Sequence, residues 1–256
     1  MLIKAYAKVN FILNVLGKRP DGFHEVENLM QALPLYDEVE VVSSDLPSDA
    51  ARSEVLLSVD NPRLNNIYNL AYTAAEKMLK VYNRKCRIEI KIRKSIPVAA
   101  GLAGGSADAA AVITALARLW DVDDLDRLLI IGAELGSDVP FCIGVCHGHM
   151  AAIGRGRGEK LEFIEPVKCT VNIKTLDIFI PNKTKTVYQE LVPKDYEVPY
   201  DIEAFLKAES LEEKEALMGN HLQAPAYRVF KKNGYELPEG NVHLSGAGPT
   251  VFTISR

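Results

Sequence analysis

No stretch of this chain approaches the roughly 20 consecutive apolar residues of a membrane span. Its start, Met1-Leu-Ile-Lys-Ala-Tyr-Ala-Lys8, lacks the long apolar core of a secretory signal. The expectation is a cytoplasmic protein without a membrane partner. An excess of positive charge is also missing: the formal net charge is −4, so there is no basic footprint of a nucleic-acid binder. Cysteine is scarce and never spaced as CxxC. Cys142 and Cys146, followed by His147 and His149, fit no structural zinc spacing, and Cys142 lies inside the apolar run Phe141–Val145. Buried free thiols in a reducing compartment are the expected state. Repeats and low-complexity segments are absent. What remains is 256 residues, 48% hydrophobic and 25% charged, which suits one large domain or two modest ones.

Alternation predicts a first strand over residues 3–15, with Ile3, Ala5, Ala7, Val9, Phe11, Leu13 and Val15 on one face. Lys4, Tyr6, Lys8, Asn10 and Asn14 occupy the other, which must meet water or line a site. Pro20-Asp21-Gly22 is a turn, and residues 35–42 read as a second strand. Helical spacing covers 65–81, 107–120 and 125–135, the last closed by Gly136. A hairpin is expected over 147–164 with its tip at Gly154–Gly158. A strand over 169–175 follows, then helices over 184–192, 201–208 and 211–232. The short strands 243–244 and 250–254 flank the loop Ser245-Gly-Ala-Gly-Pro249. The fold class is α+β, in two packed units.

The most informative segment is Pro97-Val-Ala-Ala-Gly-Leu-Ala-Gly-Gly-Ser-Ala-Asp108. It follows an alternating strand (Ile88, Ile90, Ile92) and opens an alanine-rich helix. Strand, glycine loop and helix start is the arrangement that aims backbone N–H groups at an anion. Ser106 is placed to cap that helix, or to touch phosphate or metal. No Lys-Ser/Thr pair follows the glycines, so this is not a Walker A loop, and the glycine spacing is not that of a dinucleotide fingerprint. A turn that merely joins strand to helix stays open on this loop alone.

Three separated segments resemble, in order, the motifs of the GHMP kinase superfamily of small-molecule kinases: Lys8-Val-Asn10, Pro97–Asp108 and Leu244-Ser-Gly-Ala-Gly-Pro-Thr250. Ala7-Lys-Val-Asn-Phe-Ile-Leu-Asn14, Arg19-Pro-Asp-Gly-Phe-His24 and Leu135-Gly-Ser-Asp-Val-Pro-Phe141 resemble, more closely, the branch acting on a cytidyl diphosphate in the non-mevalonate route to isoprenoids. The resemblance implies an ATP- and Mg2+-dependent kinase. Residues 1–165 would form an N-terminal ATP-binding domain resembling ribosomal S5 domain 2, and residues 166–256 a ferredoxin-like C-terminal domain. Relatives usually continue through another helix and strand after the third motif, so the C-terminal domain is expected to be shortened.

The resemblance also assigns residues. Asp138 would be the general base that takes the hydroxyl proton, although an Asp before Val139-Pro140 is also a sensible helix cap. Lys8 would be the cation that favours the alkoxide or neutralises developing phosphate charge, against the alternative of a solvated strand lysine. Pro97, Gly101, Leu102, Ala103, Gly104, Gly105, Ser106 and Ala107 would hold ATP, with help from Asn66 and Lys94. Asn10, Phe23, His24 and Tyr188 would bind the cytidyl substrate, the aromatic rings by stacking on the pyrimidine. Mg2+ would fall to Ser106 and Asp108, for which a favourable charge in a helix first turn is the plainer role. Ala100 and Ala103 stand where members commonly carry glycine, which implies a stiffer loop. Another substrate of the superfamily, or a binding protein that kept the fold without the activity, stays open at this point.

Overall fold

The computed structural model describes residues 1–46 and 52–256. In chain order the elements are β1 (Leu2–Lys18), β2 (His24–Ser44), β3 (Glu54–Val59), α1 (Leu70–Val81), β4 (Arg87–Arg93), α2 (Gly104–Leu119), α3 (Leu125–Leu135), α4 (Val139–Cys146), β5 (Ala151–Gly156), β6 (Lys160–Ile164), β7 (Thr170–Thr175), α5 (Lys183–Gln189), α6 (Ile202–Lys207), α7 (Leu211–Leu217), β8 (Gly219–Asn220), α8 (Gln223–Lys232), β9 (His243–Leu244) and β10 (Thr250–Ser255). The α+β class stands. No helix among the described residues is long and apolar enough to cross a membrane.

Two compact units interleave along the sequence. The first comprises residues 1–7, 34–98 and 103–149, the second residues 8–33, 99–102 and 150–256. In the first unit β4 pairs antiparallel with the second half of β2 (Glu38↔Arg93 to Ser44↔Arg87) and parallel with β3 (Glu54↔Arg87 to Val59↔Ile92). Ile88, Ile90 and Ile92 point into the core as their alternation predicts. α1 begins at residue 70 rather than 65, because the Asn69 side chain accepts the N–H of Ala71 and caps the helix there. α2 packs against α1 and α4, and Ala107 to Ala117 are all buried on it. Small side chains let these helices approach closely.

In the second unit the first half of β2 pairs with β5 (Val26↔Gly156 to Gln31↔Ala151), and β5 with β6. β10 lies antiparallel between β7 and β9. A core of Leu13, Val15, Val26, Val187, Leu222, Val229, Phe230, Leu244 and Val251 fills the interior. The single helix expected over 211–232 is two helices. Between them Gly219 and Asn220 form β8, which pairs parallel with Ile12 and Leu13 of β1. A Cβ at Gly219 would overlap the ring of Tyr200, so the backbone needs glycine to reach the strand. The polar face expected along β1 is split: Lys4 is exposed and Tyr6 half-buried, whereas Lys8, Asn10 and Asn14 are buried.

Candidate active site

The glycine loop divides between the two units, and each part is built differently. In the second unit every carbonyl from Ala99 to Leu102 is tied back to the protein. Ala99 O accepts from Lys183 Nζ at 2.5 Å and Ala100 O from the Thr250 N–H at 3.1 Å. Gly101 O accepts from Ser245 Oγ at 2.9 Å, and Leu102 O from the Lys8 N–H at 3.1 Å. The N–H groups of the four residues take no part in these bonds. Ala99, Gly101 and Ala103 alternate in the left-handed region, at φ +55°, +81° and +59°. Left-handed residues at every second position curl the backbone into a concave nest of N–H donors suited to an anion. A Cβ at Gly101 would meet Ser245 O and, at 2.8 Å, Gly248 O. The third motif is therefore a buttress for the loop, and Asn220 braces it in turn by donating to Leu244 O (2.7 Å) and Gly246 O (2.8 Å).

In the first unit Gly104, Gly105, Ser106 and Ala107 form the opening turn of α2, whose cap is Ala103, without a side-chain capping bond. Ser106 lies inside the helix, which corrects its expected capping role. The first N–H groups of the helix thus lack a side-chain partner and present partial positive charge. A Cβ at Gly105 would meet nothing within 4 Å, so this turn faces open space.

Beneath that turn Lys94 sits between two buried carboxylates. Its ammonium lies 2.5 Å from Asp37 Oδ2 and 2.6 Å from Asp108 Oδ2. Asp37 Oδ1 accepts the N–H groups of Ser95 (2.5 Å) and Ile96 (2.8 Å). This cluster corrects one expectation: Asp108 is not a first-turn charge but a buried residue further along α2. Burial pushes the Asp108 carboxyl up to about 7, against the pull of Lys94 and with the help of Asp37. Asp108 Oδ1 is buried without a hydrogen-bond partner. That orphaned oxygen fits a metal ligand, whereas no cluster of three or more His, Cys, Asp or Glu side chains among the described residues could hold a metal by itself. Asp37 escaped the sequence reading, although it shares the parity of the inward-facing Val39 and Val41. Asn66 joins none of this. It is exposed and satisfied locally, donating to Arg63 O and accepting from the Tyr68 N–H.

Asp138 occupies the cap position of α4 but makes no capping bond with its side chain, which corrects the capping reading. It is half-buried. In the second unit Lys8 is only 4% exposed, so the solvated-lysine reading fails. Its ammonium donates to Asn10 Oδ1 at 2.8 Å, and Asn10 Nδ2 is buried without a partner. Phe23 stands 53% exposed beyond the Pro20–Gly22 turn, with the Arg157 guanidinium 5.1 Å from its ring centroid. His24 stacks on Tyr188 with centroids 4.9 Å apart and planes at 26°. Burial lowers the His24 pKa, which favours the neutral ring. Pro97 is exposed at the entry of the loop.

Residues 69–144, from the cap of α1 through most of α4, match the GHMP kinases N terminal domain family. The class is thus that of the GHMP small-molecule kinases, which use ATP. The chain is 40% identical over 268 residues to a 4-diphosphocytidyl-2-C-methyl-D-erythritol kinase of Bacillus licheniformis, with 99% of this chain and 88% of that protein covered. The kinase of the same name from Bacillus subtilis is 39% identical over the same shares. A crystal structure of a 4-(cytidine 5'-diphospho)-2C-methyl-D-erythritol kinase superposes with a TM-score of 0.77 at 31% identity, covering 98% of this chain and 89% of the other. The mevalonate kinase of Methanococcus jannaschii, at 16% identity and a TM-score of 0.65, shares the fold. The chain belongs to the 4-diphosphocytidyl-2-C-methyl-D-erythritol kinase family.

Proposed function

We propose that this kinase transfers the γ-phosphoryl group of ATP to the 2-hydroxyl of 4-diphosphocytidyl-2-C-methyl-D-erythritol, in the cytoplasm and with Mg2+. The observation that carries the choice of substrate is the His24–Tyr188 stack beside the exposed Phe23 ring. Flat rings of this kind hold a pyrimidine by its faces, and a neutral imidazole can read its polar edge. Residues 1–165 would supply the nucleotide-binding domain and residues 166–256 the C-terminal domain.

ATP supplies the phosphoryl group and Mg2+ neutralises charge on its oxygens; Ser106 and Asp108 would hold the ion. The N–H nest over Ala99–Ala103 and the opening turn of α2 would bind the phosphates, with Pro97 at the entry. Lys94 holds Asp108 in place, and Asn66 would help to hold the nucleotide. Asp138 would accept the hydroxyl proton as the new P–O bond forms, and the Lys8 ammonium would favour the developing negative charge. Asn10 orients Lys8 and would donate its spare Nδ2 to substrate.

ADP release measured with the cytidyl substrate against mevalonate, homoserine and galactose tests the reading, with the phosphorylated position assigned by phosphorus NMR. The expected outcome is turnover of the cytidyl substrate alone, with kcat about 10²–10⁴-fold lower in Asp138→Asn. Equal turnover of another substrate, or none of any, would overturn it.

A further inference from the structure

Lys183 was not among the expected site residues, yet its side chain lies at a junction. It opens α5 and is 7% exposed. Its ammonium donates to Ala99 O in the glycine loop and to Gly248 O in the third motif. No carboxylate pairs with it among the described residues. A buried lysine without a carboxylate is costly, because its charge has lost water and gained only neutral dipoles. Two backbone carbonyls alone are a poor replacement, whereas a polyanion on the far side of the loop would be a good one.

We propose that Lys183 is a positioning residue for the nucleotide: its ammonium pins the Ala99 carbonyl inward, which leaves the loop N–H groups for phosphate, and its charge attracts the polyphosphate from behind the loop. This rests on the ATP reading above. The other carbonyls of the nest are held by neutral donors (the Lys8 and Thr250 N–H groups and the Ser245 hydroxyl), so Lys183 is the one charged anchor of the four. Burial lowers its pKa to about 8. The ammonium therefore gives way to the amine within the range where the enzyme can be assayed, and the amine keeps two N–H donors but no charge.

The surroundings identify which group such a titration reports. The stretch Ala99–Leu102 and the turn Ser245–Pro249 carry no ionisable side chain. On α5 itself, Lys185 is exposed, and Glu190 at its end is held by Lys232 and Arg228. On α8, which packs against α5, Arg228 is also paired with Asp195, Lys231 is exposed, and burial raises the Tyr227 pKa. Asp108, pushed up to about 7, also titrates in this range.

The test is calorimetric binding of ADP at fixed Mg2+ from pH 6.5 to 9.5, with the unmodified chain, Lys183→Met and Asp108→Asn. The unmodified chain is expected to lose about tenfold or more in ADP affinity as pH rises through about 8. Lys183→Met should bind ADP about ten- to a hundredfold more weakly at pH 7 and lack the fall near pH 8, while Asp108→Asn keeps it. Binding of the cytidyl substrate should be the same in the unmodified chain and Lys183→Met. Because the pH profile of the unmodified chain is read without any substitution, misfolding of a variant cannot hide the answer. An ADP affinity that is flat through pH 8, or a fall that persists in Lys183→Met, overturns the role of Lys183 and leaves the kinase reading intact. No ADP binding by the unmodified chain at any pH overturns both.

Discussion

Two lysines with largely enclosed side chains, one in each unit, solve the same problem in opposite ways. Lys94 lies between Asp37 and Asp108. Burial works against its charge, but the two carboxylates outweigh that and raise its pKa. Lys183 has only the carbonyls of Ala99 and Gly248, and burial depresses its pKa to about 8. Burial therefore does not decide whether a lysine keeps its proton; the formal charge of its partners does. The first unit stores its charge in a cluster that is nearly complete, the second in a cation left short of anions. A site that must welcome a polyanion gains from the second arrangement, and the first fixes the strand end and helix that carry the loop.

The comparison breaks most visibly if Lys94 is removed. Lys94→Met leaves two buried carboxylates facing each other, and the expected loss is about 3–5 kcal/mol of unfolding free energy at pH 7, read from a urea titration. Partial recovery at low pH, where the carboxylates protonate, would mark the loss as electrostatic; an equal loss at every pH would assign it to packing.

The second unit should be broken by a methyl group rather than by a charge. Gly101→Ala places a Cβ against Ser245 O and Gly248 O at a φ of +81°. A cost of about 2–3 kcal/mol is expected, together with weaker ADP binding. Wild-type stability and binding in that variant would show that the buttress yields.

The pH dependence of the two regions should have opposite signs. The Asp108 pKa is raised from 3.8 to about 7 in the folded state, so the unfolded chain releases that proton first and stability falls as pH rises from about 4 to 7. Asp108→Asn removes this slope. Relative to the unmodified chain it should gain about 1–3 kcal/mol between pH 5 and 7. The Lys183 pKa is lowered from 10.5 to about 8, so its contribution makes stability rise from about pH 8 to 10.5. A constant difference between Asp108→Asn and the unmodified chain across pH 5–7 would refute the first slope.

The smallest effect on stability belongs to Lys183→Met. Two carbonyls lose a donor while a poorly solvated charge disappears, and the two nearly offset, within about 1 kcal/mol at pH 7. A loss as large as that of Lys94→Met would mean that the two lysines are alike after all.

Motifs with local grammar were legible in the sequence. The glycine loop, the Pro20–Gly22 turn, the isoleucine alternation of β4 and the closure of α3 at Gly136 each depend on neighbours in the chain. What could not be read locally was set by distant partners. Lys8 looks like a solvent-facing strand lysine until Asn10 and the surrounding burial are present. The run 211–232 has helical composition, and only pairing with Ile12 and Leu13 turns Gly219-Asn220 into a strand. Lys183 opens a short polar helix, and nothing nearby shows that its ammonium reaches the loop. Asp37 is the intermediate case: it shares the parity of the inward-facing Val39 and Val41, a signal the sequence carried but the reading passed over, and nothing local names its partner.

The four tied carbonyls of Ala99–Leu102 also bear on biosynthesis. Three of their donors lie far along the chain: Lys183 at 84 residues from Ala99, Ser245 at 144 residues from Gly101, and Thr250 further still. A ribosome making this protein exposes the glycine loop long before it exposes the residues that shape it. Contacts of such separation form late, because the loop-closure entropy comes first. The helices of the first unit can assemble on the nascent chain, the opening turn of α2 among them, while Ala99–Leu102 stay an unshaped segment. Nucleotide cannot then act as an early scaffold for folding; the capacity to hold it should appear abruptly, once Thr250 has left the exit tunnel and β10 has paired.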